Sequence, residues 1–349
     1  MPYIKQLTFL RYLAAVLVVI FHFGLNVSPF DGAVLEPLAS EGSVAVSFFF
    51  FLSGVVLAIN YLGANTKATL FYKKRLARIY PSYLLAFGLT LVLGMVWHEA
   101  YPRGLSIILQ LMGLHAWSPG NCLEINFPGW SISVEFFLYA MFPLFVALFK
   151  RMKKSSFSIM GFAIWLFCAV LHIWMNFNLW VPNDPVIGQF IVYFPPLHLG
   201  TFLIGMICGN WILNKHDNQP RPVIPRIMWI MGVLLFSLVF YVENPVRAHV
   251  HNGLLSPLYF LIITGLALDK SWVTSLLGNQ FLVLLGNASY AVYIFQWPVY
   301  MIVAKTLEQE TLTGTAFYAY LVVLTAISIV SYSYFEKPIR KRLLAQIKS

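Results

Sequence analysis

Long apolar runs separated by short polar or basic loops dominate the chain. The first, Leu7 to Val27, reads LTFLRYLAAVLVVIFHFGLNV, and about 20 such residues suffice to cross the hydrocarbon core of a bilayer. The same pattern recurs along the chain. It predicts ten helical spans, at about 7–27, 43–63, 82–97, 130–149, 157–176, 191–213, 224–242, 254–268, 287–304 and 314–335. Two apolar pieces, Leu105 to Trp117 and Trp272 to Leu285, are too short to span and read as re-entrant or interfacial segments. No internal repeat is visible.

Composition agrees with the pattern. The 349 residues are 59% apolar and 10% charged, where a soluble domain carries about 25% charge. The expectation is an all-α polytopic integral membrane protein whose residues 1–349 form a single domain. No cleavable signal peptide is expected, because no small-residue cleavage site follows the long first run. The net charge of +10 does not point to nucleic acid. With the N-terminus inside, 20 of the 23 Lys and Arg fall in cytoplasmic segments, leaving Arg103, Arg247 and Lys305 outside. That asymmetry puts both termini in the cytoplasm. Cys122, Cys168 and Cys208 make no disulfide framework and no metal signature. His249 and His251 have no third ligand nearby and read as solvated.

The candidate chemistry lies in polar groups set within apolar runs, where they are costly unless paired or facing a cavity. Arg11 and His22 are eleven positions apart on the first span, roughly three helical turns, so they share a face about 16 Å apart along the axis. One face thus carries a cation near one membrane surface and a proton acceptor deep inside. A snorkelling arginine and a packed histidine would give the same letters. Glu135, in WSISVE, either orients the His22 imidazole or is held by groups at its own helix start, such as Ser131, Ser133 or Trp130. Lys74, Arg75 and Arg78, in FYKKRLARIYP, share a broad helical face. They suit either anionic lipid or a phosphate-rich cytoplasmic cofactor. Tyr290, Tyr293 and Gln296 form an i, i+3, i+6 stripe on the ninth span. Ser53-Gly54 and Gly205 to Gly209 read as close-packing sites.

The spacing of Arg11 and His22 resembles the R-x10-H signature of the membrane-bound acyltransferase-3 family. Six further stretches resemble that family in the expected order. They are SFFFFLSGVVLA, FYKKRLARIYP, WSISVEFFLYAMFP, FLIGMICG, LGNASYAVYIFQWPV and FEKPIRKRL. The resemblance implies transfer of an acyl group, expected to be acetyl, from cytoplasmic acyl-CoA to a hydroxyl of an extracytoplasmic or lipid-linked glycan. It makes acetyl-CoA the co-substrate, with no metal, and a bacterial inner (plasma) membrane the location. Arg75 and Arg78 match the family's paired arginines, associated with the donor, and Arg11 and Lys74 join them as donor-binding candidates. His22 becomes the general base, or the carrier of a covalent acyl relay, with Glu135 and Arg11 assisting, and Trp130, Tyr290, Tyr293 and Gln296 face the substrate. Where the family often has a second histidine, this chain has Gln296. Other expected partners are membrane lipid and, if this domain does not complete the transfer, a separate extracytoplasmic transferase; a homo-oligomer is left open. The alternative is a proton-coupled secondary transporter or a lipid-linked-sugar translocator, although carriers usually show the repeats missing here.

Overall fold

The computed structural model describes residues 4–97, 102, 104–180, 184–216, 223–242 and 247–346. They fold into helices joined by short loops. Ten helices are numbered along the chain: α1 Lys5–Phe23, α2 Val44–Tyr61, α3 Ala68–Val96, α4 Trp130–Arg151, α5 Lys154–Asn178, α6 Leu199–His216, α7 Val223–Tyr241, α8 Ser256–Leu268, α9 Gln280–Thr306 and α10 Gly314–Val330. Among the described residues, nine helical stretches are long and apolar enough to cross a membrane; α8, with 13 residues, is the shorter one. Each expected span has its helix, and the chain is an all-α, multi-pass membrane protein.

Two boundaries differ from expectation. The basic segment before the third span is not a loop. It is the first part of α3, which runs unbroken through Pro81. A proline inside a helix costs about 3 kcal/mol, but here Phe71, Ala77 and Ile79 before it and Ser82 and Tyr83 after it are all buried, so packing on both sides holds the helix together. Likewise only Trp272–Leu277 forms a separate short helix, because α9 starts at Gln280 and absorbs the rest of the expected interfacial piece.

The core is built on two seams. Helix α2 lies along α6, and α1 along α9. Small residues make both approaches possible: a Cβ on Gly205 would sit 2.1 Å from the Phe51 carbonyl oxygen, and one on Gly286 would sit 2.0 Å from that of Thr8. The outward faces of α5, α7 and α10 are apolar and exposed, with Phe162, Phe167, Leu234, Leu238, Val322 and Val330 among them. In water such a belt would drive aggregation; in a bilayer it faces lipid. After α10 the chain passes through a wider π-helical turn, Ser331–Glu336, into α11, Lys337–Gln346, which returns against α3.

Candidate functional site

At the basic end of the bundle, α1, α3 and the C-terminal segment enclose a cavity of 740 Å³. Its wall includes Arg11, Lys74, Arg75, Arg78, Glu336 and Arg340. A narrower chamber of 90 Å³ shares Arg11, Arg75 and Arg78 and adds Glu135, Tyr139, Ser289, Tyr290 and Tyr293, between apolar walls such as Phe49, Leu57 and Ile132. Across both spaces five cations face two carboxylates. Desolvated like charges repel, so this excess of positive charge calls for a multiply anionic ligand.

Arg75 shows how the sequence prepares that role. Its guanidinium lies over the rings of Tyr61, Phe71 and Tyr139, at 5.5, 5.8 and 5.9 Å, and its Nη2 donates to the Tyr61 hydroxyl at 3.1 Å. Three aromatic contacts hold the planar group in place. Its Nε is buried and has no hydrogen-bond partner among the described residues. A buried donor left unpaired is costly, and a ligand oxygen would satisfy it.

Glu135 is not the partner of His22. Its carboxylate accepts a hydrogen bond from Tyr139 and lines the chamber with the arginines. The expected pairing fails because Glu135, five residues into α4, falls level with the arginine cluster. Ser131 does not hold it either, since its hydroxyl donates to the Pro128 carbonyl at 3.0 Å.

The partner of His22 is Gln296, with Nδ1 and Oε1 2.8 Å apart. The amide Nε2 of Gln296 donates to the Tyr293 carbonyl at 2.7 Å, so its Oε1 is the acceptor facing the ring. This network assigns the imidazole tautomer: Nδ1 carries the proton and Nε2 keeps its lone pair. Nε2 makes no hydrogen bond among the described residues. Gln296, expected to face substrate, is 0% exposed with both ends of its amide engaged. It is corrected to a residue that orients His22. Tyr290 and Tyr293 do line the chamber, so the stripe on α9 leads from the arginine cluster to the histidine.

Trp130, also expected at the substrate, is 5% exposed. It is packed against Tyr193, His198 and His251 at 4.5, 5.7 and 5.6 Å and lines neither cavity, so its place is in the core. His251, expected to be solvated, belongs to the same cluster, and its Nε2 is buried; the side chain of His249 lies outside the described residues. Among the described residues no group of three His, Cys, Asp or Glu is placed to hold a metal. Sequence reasoning missed Glu336 and Arg340. The four-residue spacing in FEKPIRKRL puts both on one helical face, but only the return of α11 onto α3 shows that the face closes the larger cavity.

The chain is similar to named acyltransferases. The chain is 29% identical over 320 residues to the acyltransferase MdmB of Streptomyces mycarofaciens, covering 85% of this chain and 79% of that one. It is 24% identical over 364 residues to the O-acetyltransferase OatA of Staphylococcus aureus strain NCTC 8325, covering 97% of this chain and 58% of OatA. It thus spans little more than half of OatA, and 36% of a further Staphylococcus aureus relative that is 25% identical over 220 residues. No solved structure matches the chain. The acyltransferase-3 family model, described as an acyltransferase domain, matches residues 4–333, and the chain belongs to that family of membrane acyltransferases.

Proposed function

We propose that the protein takes an acetyl group from cytoplasmic acetyl-CoA and transfers it to a hydroxyl of an extracytoplasmic or lipid-linked glycan. The observation that carries this reading is the five-cation cavity in which the buried Nε of Arg75 awaits an acceptor. Phosphate oxygens are the acceptors an arginine fork fits best. Arg75, Arg78, Arg11, Lys74 and Arg340 hold the donor's phosphates, and the narrow chamber takes the thioester-bearing arm towards Tyr293. Arg11 acts as an anchor, since eleven helical residues place it about 16 Å from His22.

His22 Nε2 then removes the proton of the acceptor hydroxyl, while Gln296 holds Nδ1. The oxygen attacks the thioester carbonyl, the tetrahedral oxyanion collapses, the C–S bond breaks, and the departing thiolate takes the proton back from His22. Acetyl-CoA plus alcohol gives ester plus free CoA, with no other reactant needed. The test is thioester cleavage by purified protein in lipid nanodiscs with acetyl-CoA and a panel of glycans. Free thiol should appear in step with acetylated glycan and should vanish in His22→Ala. Solute movement without thioester cleavage would make the protein a carrier.

A further inference from the structure

A third cavity, of 250 Å³, lies at the other end of α3 and α9. Its wall includes Thr90 and Gly94 of α3, Trp297 and Met301 of α9, and Glu124 and Ile125 of the loop before α4. Neither the donor cavity nor the arginine chamber shares a residue with it. It nevertheless lies close to His22. Phe127, two residues after Ile125, sets its ring edge-on to His22 at 4.7 Å and edge-on to Trp297 at 5.5 Å. One aromatic ring therefore touches both the base and the cavity wall.

We propose that this cavity is the acceptor subsite, that it binds a neutral hydroxylated ring such as a hexopyranose, and that Phe127 is the gate between it and His22. The chemistry of the wall supports that class. Indole offers a broad apolar face with a polar N–H at its edge, which suits the C–H face of a pyranose. Stacking on Phe23 and Tyr300 holds the indole in place. Glu124 puts a carboxylate in the wall, the kind of group to which sugar hydroxyls donate charge-assisted hydrogen bonds. Thr90 already donates its hydroxyl proton to the Ala86 carbonyl at 2.9 Å and faces a ligand as an acceptor. The volume is just below the roughly 300 Å³ at which drug-sized ligand pockets begin, so one ring fits and an oligosaccharide must extend outward. The inference rests on His22 being the base, because it assigns the space beside that residue to the group that loses the proton.

The experiment uses a probe that needs no turnover. Octyl β-D-glucopyranoside bearing a diazirine on the sugar is photolysed, below its micellar concentration, with the whole protein in nanodiscs, and labelled residues are mapped by mass spectrometry. Labels should fall within 90–94, 124–127 and 297–301, compete with unlabelled octyl glucoside, and persist in His22→Ala. Trp297→Ala should lower labelling at least about tenfold, as truncation of an aromatic anchor does. Trp297→Phe should keep most of it, and Glu124→Gln should weaken it without disturbing the stacked rings. Labelling confined to lipid-facing positions such as Met95 or Val96, or unchanged in Trp297→Ala and Glu124→Gln, would overturn the proposal. If the labels fall as stated but no acetyl-CoA is cleaved, the subsite stands and the transferase reading falls.

Discussion

A single amide decides which nitrogen of His22 can act. Because Gln296 presents its oxygen to Nδ1, only Nε2 can serve as a base, and turnover should show a rising limb with pH. His22→Ala is expected to lower turnover by at least about 10²-fold while acetyl-CoA binding, followed by equilibrium dialysis, stays intact. Gln296→Ala should lower kcat less severely, and Gln296→Glu, which restores an acceptor to Nδ1, should recover part of that loss. Glu135→Gln should leave the limb where it is, since Glu135 lies with the arginines; a displaced limb would reinstate the Glu135–His22 pairing. At the proposed donor site, Arg75→Ala should weaken acetyl-CoA binding about 10–100-fold, the loss of charged hydrogen bonds of about 1.5–3 kcal/mol. It should also lower stability, because the guanidinium covers three aromatic rings. Arg75→Lys should rescue binding only in part.

Between elements, the approach of α2 to α6 depends on hydrogen atoms standing where side chains would be. Gly205→Val should cost at least the 1–3 kcal/mol typical of an overpacked core, since even its Cβ would overlap the Phe51 carbonyl. Cys122, Cys168 and Cys208 are all buried, so a thiol-reactive dye reads unfolding directly and should show a lowered transition temperature. The loop that caps α8 carries a pH-sensitive contact. Burial, with the nearby His172 adding to it, pushes His251 down to about 3 from its usual 6.5. A depressed histidine means the unfolded chain binds more protons than the folded one between those values. Stability is therefore held above about pH 6.5 and lost as pH falls towards 3. The groups facing it are His198, Trp130 and Tyr193, with His172 close enough to add its charge. The dye transition should drop between pH 7.5 and 5, and the drop should shrink in His251→Phe.

For the molecule as a whole, orientation follows from charge. If the 20 basic residues assigned to cytoplasmic segments from the sequence lie on one side, tags at Lys153 and after Gln346 should be inaccessible from outside intact cells, and one at Gly120 accessible. Reversed labelling would place the arginine cavity on the wrong side for cytoplasmic acyl-CoA. The apolar helices were legible in the sequence because lipid rewards apolar length and punishes charge, whatever the neighbours; of the ten expected, nine are long enough to cross among the described residues and α8 is shorter. The shared face of Arg11 and His22 needed only the helical period. What the sequence could not decide is which polar groups meet. His22 pairs with Gln296, 274 residues away, and Glu135 joins arginines from α1 and α3. Arg340 completes a wall begun by Lys74, and Trp130 turns into the core. Each of these depends on how helices rotate about their axes and on where glycines let them touch. Close packing sets that rotation only when all the helices are in place.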